Sequence, residues 1–388
     1  MPRAALLLAA AAATAAAVGA PPDSVLVFRN ESEGYHTFRL PSVIALGVGG
    51  ALLVCAEARA RLGFAPPGGD TSDCYGEGAS AADWKCTNKD IACKRSGDGG
   101  RSWGAAAVLA EADDASFYTN PQLLLAAPGG AVFLEYMRCI PPAGGGNSFL
   151  NCTAVLRLSD DGGASWAPPR ELPPSPQQSS GGFGGIVTAS GRLVFSPPSG
   201  KQTGALYSDD GGASWAWGAP PARGGESQLA ELQPGGPLLL TVRHSNNSRV
   251  LYTSSDGGAS WGAPQPQAVT DPNCQASMIA VVNASDPGAR RRLLFSNPHT
   301  DGLQPYAYGR RNVTVQASDD GGASWAPIFL VAEGPSAYTS LVQLGGGEGA
   351  RSCGVMVEWS DDYPIDFYGI SFRTFDCFAQ PLATMAQA

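Results

Sequence analysis

Ser208-Asp-Asp-Gly-Gly-Ala-Ser-Trp215 is the stretch that decides the fold. It fits Ser-x-Asp-x-Gly-x-x-Trp, and the same pattern begins at Ser96, Ser159, Ser254 and Ser318 and closes at Trp103, Trp166, Trp261 and Trp325. These residue types suit a hairpin turn. The Asp accepts backbone N–H groups, the Gly two positions on supplies positive φ, and the Trp buries a large ring against the adjoining strands. Successive tryptophans lie 63, 49, 46 and 64 residues apart, a spacing that suits one antiparallel sheet plus loops, repeated radially.

Between the copies, apolar runs of strand length recur at Ala51–Cys55, Ala131–Tyr136, Arg192–Phe195, Pro237–Val242, Arg292–Phe295 and Gly354–Glu358. Fifty glycines and 31 prolines among 388 residues point to strands joined by tight turns rather than to helices. No composition break marks a second domain, so residues 21–388 read as one all-β domain.

Residues 1–20 read as a signal peptide. Met1-Pro-Arg3 is a basic start, Ala4 to Val18 an apolar run, and Val18-Gly-Ala20 a small-residue cleavage site. The run is short and alanine-rich, which favours cleavage over a retained anchor, and no other stretch is apolar for long enough to span a bilayer. The expected location is the secretory pathway: secreted, lysosomal or vacuolar, or at the cell surface, with no membrane insertion after cleavage. The sequons at Asn30, Asn151, Asn246, Asn283 and Asn312 agree with that route.

Nine cysteines suit an oxidising compartment, and the odd number leaves at least one unpaired. Cys55, inside an apolar run, is the candidate buried thiol. Without a Cys-x-x-Cys pair and with three histidines, the chain offers no zinc-type pattern, and no metal or cofactor is expected. Without Arg3 there are 24 basic and 34 acidic residues, a balance that argues against nucleic acid or an anionic membrane as partner.

The five repeats resemble the Asp box of the sialidase (neuraminidase) superfamily, which implies a six-bladed β-propeller. In that family the boxes are structural, so function has to come from other positions. Phe38-Arg-Leu-Pro41 is similar to the family's Phe-Arg-Ile-Pro, which makes Arg39 the first of three arginines that hold a substrate carboxylate. Gly225-Glu-Ser-Gln-Leu-Ala-Glu-Leu232 followed by Arg243 resembles the segment supplying an acid and the second arginine; Glu226 and Arg243 match, with Glu231 the runner-up acid. Tyr308-Gly-Arg-Arg-Asn312 resembles the family's Arg-x-Asn before the last box, which implies Arg310 as the third arginine, ahead of Arg311. Glu358 matches the carboxylate that braces the first arginine.

Gly334-Pro-Ser-Ala-Tyr338 is similar to the family's nucleophile motif, which makes Tyr338 the nucleophile and Glu226 its base. A neutral phenol suits an anomeric carbon that bears a carboxylate, because a carboxylate nucleophile would be repelled. Ala51-Leu-Leu-Val-Cys-Ala-Glu-Ala-Arg59 resembles the family segment just before the acid loop, which implies that Glu57 and Arg59 belong to the pocket wall. The acid/base aspartate is expected on the loop that follows, which holds Asp70, Asp73 and Asp83; Asp83 comes first by spacing and Asp73 second. Cys74, Cys86 and Cys93 are candidates to staple that loop. Tyr118-Thr-Asn-Pro-Gln122 and Gly181-Gly-Phe-Gly-Gly-Ile186 resemble rim loops and receive no role.

The resemblance implies an exo-α-sialidase that acts on sialylated glycans with retention. The alternatives are a trans-sialidase with the same chemistry and a non-catalytic sialic-acid-binding propeller, which should lack the tyrosine or its glutamate.

Overall fold

A computed structural model of the chain describes residues 21, 23–47, 49–61, 88–113, 115–127, 130–140, 152–174, 184–197, 204–222, 225–244, 247–282, 291–300, 309–345, 351–360 and 369–382. All regular structure among them is antiparallel β-sheet, with no α-helix. β1 (Val25–Arg29) precedes a four-stranded sheet of β2 (Tyr35–Ala45), β3 (Leu52–Arg61), β4 (Lys89–Ser96) and β5 (Ala107–Ala110). The second sheet holds β6 (Phe117–Leu125), β7 (Val132–Cys139), β8 (Cys152–Ser159) and β9 (Arg170–Glu171). The third holds β10 (Gly185–Val187), β11 (Leu193–Phe195), β12 (Leu206–Ser208) and β13 (Ala216–Trp217). The fourth holds β14 (Ser227–Glu231), β15 (Leu238–His244), β16 (Ser248–Ser254) and β17 (Gln265–Gln267).

The last sheet contains β18 (Ser277–Val281), β19 (Arg292–Pro298), β20 (Arg311–Ser318), β21 (Ala326–Gln343), β22 (Ser352–Trp359) and β23 (Gly369–Asp376). β1 joins it by pairing with β23, so the two ends of the domain close on each other. β21 is shared: residues 326–335 pair with β20 and residues 336–343 with β22. The six apolar runs read from the sequence fall on β3, β7, β11, β15, β19 and β22, each flanked by a strand on both sides.

The first strand of each four-stranded sheet, β18, and the half of β21 that pairs with β22 alone each have one edge without a ladder partner, which would strand buried N–H groups. Side chains of the neighbouring edge meet that need. Ser340 Oγ accepts from Val43 N–H, Ser42 Oγ from Leu123 N–H and Gln122 Oε1 from Gly184 N–H. Gln228 Oε1 likewise accepts from Met278 N–H, and Ser277 Oγ from Leu341 N–H. The sheets are thus laced edge to edge around an axis.

Each repeat sits on the turn leaving a third strand and pins its sheet to the one before. In the box beginning at Ser208, Asp210 Oδ1 takes the Ser208 hydroxyl and the Ser214 N–H, both at 2.8 Å, and Trp215 Nε1 donates to Gly212 O. Trp215 packs against Phe133 of the preceding sheet with ring centroids 5.8 Å apart. The first box repeats the arrangement, Trp103 lying 5.8 Å from Phe372.

Disulfides join Cys55–Cys93, Cys139–Cys152 and Cys353–Cys377. Cys55 is therefore not the free thiol. It lies directly across β3–β4 from Cys93, a facing that an apolar run on one strand does not reveal, and Cys93 is for the same reason no staple of the loop. Among the described residues the free cysteine is Cys274, which is buried. Cys74 and Cys86 lie outside the described residues, as do Asn151, Asn246 and Asn283. Among the described residues no helix is long and apolar enough to cross a membrane.

Candidate active site

Antiparallel order decides which residues can meet. First and third strands begin, and second strands end, at the same rim, while the Trp-bearing turns leave the third strands at the other. Arg39 lies early in β2, Glu57 and Arg59 late in β3, and Glu226 directly before β14. Arg243 lies late in β15, Arg310 directly before β20, and Glu358 late in β22. Tyr338 lies near the point where β21 changes partners.

The first strands are also irregular at this rim. Register shifts fall between Arg39 and Ser42 in β2 and between Ser336 and Thr339 in β21. Leu40 adopts φ +59° ahead of Pro41, an uncommon conformation for a bulky residue. Its N–H donates to Glu358 Oε1 at 2.7 Å, which secures the bulge that carries Arg39.

Tyr338 is the centre of the cluster. Its hydroxyl donates to Glu226 Oε1 at 2.5 Å, and Arg243 Nη1 lies 2.5 Å from Glu226 Oε2 and 3.4 Å from the Tyr338 oxygen. The guanidinium carbons of Arg39 and Arg310 stand 5.2 and 5.7 Å from the centroid of the Tyr338 ring. Arg39 Nε pairs with Glu358 Oε1 at 2.9 Å, and Glu358 is fully buried. The structure therefore brings together Arg39, Glu226, Arg243, Arg310, Tyr338 and Glu358.

Glu57 and Arg59 form a separate pair on β3. Arg59 Nε donates to Glu57 Oε2 at 2.7 Å, and Glu57 Oε1 accepts from the Asn120 N–H at 2.8 Å and from the Thr119 hydroxyl. The rim segment Tyr118–Gln122 thus braces Glu57. Glu231, at the far end of β14, accepts from Ala189 N–H and pairs with Arg291, away from Tyr338. Arg311 is exposed whereas Arg310 is buried. Asp70, Asp73 and Asp83 lie outside the described residues, between the ends of β3 and β4.

The electrostatics favour a protonated phenol beside an ionised carboxylate. Burial pushes the Tyr338 hydroxyl well above its ordinary value and the Glu226 charge adds to this, with Arg243 and Arg310 pulling the other way. For Glu226, burial alone would raise the carboxyl, but Arg243 and the hydrogen bond from Tyr338 outweigh it and hold the group below its ordinary value. Glu57 is likewise held low: Arg59 and Lys89 overcome its burial. Each guanidinium offers several donors, and three of them around one ring suit an anion that sits between them.

One residue at the site carried no signal in the sequence. Asn273 Oδ1 accepts from Arg243 Nε at 2.7 Å, and its carbonyl oxygen accepts from Arg310 Nη2 at 3.0 Å.

Repeats, sheets and arginine cluster together define a sialidase-type protein. The model of the BNR repeat-like domain family matches residues 85–349. The chain belongs to this family, within the sialidase superfamily. It is 32% identical over 195 residues to a sialidase of Bacteroides fragilis, covering 46% of this chain and 35% of the relative. It is 26% identical over 356 residues to a sialidase of Micromonospora viridifaciens, covering 82% and 50%. The chain thus spans half or less of the length of these two relatives.

Among solved structures, a Hadza microbial sialidase superposes with a TM-score of 0.71 at 23% identity, covering 91% of this chain and 68% of that one. The intramolecular trans-sialidase from Ruminococcus gnavus superposes with a TM-score of 0.68 at 17% identity, covering 92% and 98%. Both are likenesses of fold.

Proposed function

We propose that the chain is an exo-α-sialidase on a six-bladed β-propeller that removes terminal sialic acid from glycans with retention. The observation that carries this is the Tyr338 hydroxyl set against Glu226 within the ring of Arg39, Arg243 and Arg310. For the fold, β21 divides the seven-stranded sheet into two groups of four, with β1 completing the second. Counted that way, the five sheets give six blades.

In the proposed reaction the three arginines hold the sugar carboxylate and fix the anomeric carbon over Tyr338. The phenol oxygen attacks that carbon as its proton passes to Glu226. The glycosidic C–O bond breaks, and the acid, Asp83 first and Asp73 second, protonates the leaving oxygen. Water then attacks the same carbon, activated by that aspartate; the C–O bond to Tyr338 breaks and Glu226 returns the proton to the phenol. Two displacements at one carbon retain its configuration. Water is the sole co-reactant, and no metal or redox partner enters the scheme.

The reading includes entry to the secretory route with loss of residues 1–20, which the three disulfides support. The Ruminococcus gnavus likeness keeps one second reading, transfer to an acceptor other than water. A fluorogenic sialoside assay tests the proposal. Turnover is expected in the intact protein and not in Tyr338→Phe, and wild-type rates in that variant would overturn the scheme. Adding lactose separates the two readings, since sialyllactose or an anhydro sugar in place of free sialic acid identifies transfer.

A further inference from the structure

The turn between β17 and β18 carries Asp271-Pro-Asn-Cys-Gln275. Asn273 stands on it in the left-handed region, φ +56°, and offers two neutral acceptors to two different arginines: its side-chain oxygen to Arg243 and its carbonyl oxygen to Arg310. Beneath it lies an ion pair with both side chains wholly inaccessible, Arg249 Nη1 to Asp271 Oδ2 at 2.9 Å.

That pair grips the backbone next to Asn273 from both sides. Arg249 Nη1 donates to the Cys274 carbonyl at 2.9 Å, and Asp271 Oδ1 accepts the Cys274 N–H at 2.8 Å. Arg249 Nε also donates to Thr241 Oγ1, which in turn donates to Gln267 Oε1, tying the turn to β15 and β17. A buried ion pair is a costly way to fill a core, and an apolar pair of similar volume often holds a fold as well. What this pair adds is the geometry of one turn, and that turn carries Asn273.

We propose that Asn273 is a positioning residue that aims Arg243 and Arg310 without neutralising them, and that the Arg249–Asp271 pair fixes its backbone for that purpose. The inference rests on the reading that these arginines hold the substrate carboxylate. Charge explains why an amide stands here. Among the described residues the guanidinium groups of Arg39, Arg243 and Arg310 face the carboxyl groups of Glu226 and Glu358, an excess of one cationic side chain that a ligand carboxylate would meet. A carboxylate at position 273 would aim Arg243 equally well but cancel that remainder. An amide oxygen and a peptide carbonyl orient the guanidinium groups and leave their charge for the ligand.

Asn273→Asp, nearly isosteric, separates charge from shape, and Asn273→Gly removes the side chain while permitting the positive φ. The measurements are KM and kcat on a fluorogenic sialoside, Kd for free sialic acid by calorimetry, and the thermal midpoint. Asn273→Asp is expected to raise KM and Kd about tenfold or more, with a smaller change in kcat and an unchanged midpoint. Asn273→Gly should raise them less. Arg249→Met combined with Asp271→Leu should stay folded and raise KM.

Values of KM and Kd within about twofold of wild type in Asn273→Asp overturn the role of Asn273. So does a loss that only follows the fraction folded. Wild-type KM in the folded double variant overturns the role of the buried pair. An intact protein that neither cleaves the sialoside nor binds the free acid overturns the functional reading itself, and this inference with it.

Discussion

The Tyr338 hydroxyl donates to Glu226 Oε1 at 2.5 Å, and the second oxygen of that carboxylate is held by Arg243 at the same distance. The directions of their shifts place the resting proton on the phenol: Tyr338 is raised and Glu226 is lowered. Glu226 thus stands ionised, the form that the proposed attack by Tyr338 would need.

Glu226→Gln should therefore separate binding from chemistry. The amide can still occupy the space beside Arg243, but it cannot take the proton, and the cluster gains one net positive charge. The expected result is a kcat lower by about 10²- to 10⁴-fold, the range associated with loss of a general base, with KM unchanged or reduced. Steady-state kinetics on a fluorogenic sialoside gives both numbers. A variant whose KM rises while kcat holds would make Glu226 a binding group instead.

Glu358 carries a structural prediction. Its carboxylate lies at no exposure and takes Arg39 Nε at 2.9 Å, Leu40 N–H at 2.7 Å and Tyr338 N–H at 3.3 Å. Two strands of the site and the Leu40 bulge meet on this one side chain. Glu358→Ala leaves a buried arginine and two buried amides without it, and should cost about 3–5 kcal/mol. Glu358→Gln keeps an acceptor in place and should cost less. Denaturant titration of both variants checks the order.

What the sequence made legible was local and repetitive. The five Trp-bearing turns and the apolar second strands declare an all-β, radially repeated chain, because turn chemistry and strand patterning are short-range. Arg39, Glu226, Arg243, Arg310, Tyr338 and Glu358 could be chosen because each sits in a recognisable short motif, and they come together at one rim. Asn273 could not be found that way. Its partners lie 30 and 37 residues away in sequence, and its role depends on a left-handed turn held by a buried pair. Arg249 reads as one more strand residue until Asp271 is seen against it. The Cys55 disulfide is hidden from the sequence for a related reason, since its partner faces it from another strand.

Glu135 links stability to pH. It is buried on β7 opposite Gln122, and burial pushes its carboxyl up to about 8 against the hydrogen bond from Gln122, from an ordinary 4.5. Between those two values the folded chain holds a proton that the unfolded chain has released. Stability is therefore full below about 4.5 and falls as pH rises, by up to about 1.4 kcal/mol per pH unit, until the folded group ionises near 8. Glu135→Gln removes the titrating group and should flatten this component. Urea titrations of both proteins at several pH values between 5 and 9 measure the difference. Parallel stability profiles would assign the pH dependence elsewhere.

Gly211 and Gly212, adjacent in one Trp-bearing turn, separate backbone strain from sheet-to-sheet contact. Both adopt positive φ, +70° and +92°, so an alanine at either pays the left-handed penalty of about 1 kcal/mol. Their surroundings differ. A Cβ on Gly211 meets nothing within 4 Å, whereas one on Gly212 would lie 2.5 Å from the ring of Phe133 in the preceding sheet. Gly212→Ala must displace that ring and should lose a further 1–3 kcal/mol, roughly the cost of overpacking a core. Thermal or denaturant unfolding gives the difference between the two variants directly. Because these turns lie at the rim opposite Tyr338, the folded fraction of either variant should turn over substrate at the wild-type rate. A loss of kcat that exceeds the loss of folded protein would mean that strain at this turn reaches the arginine cluster.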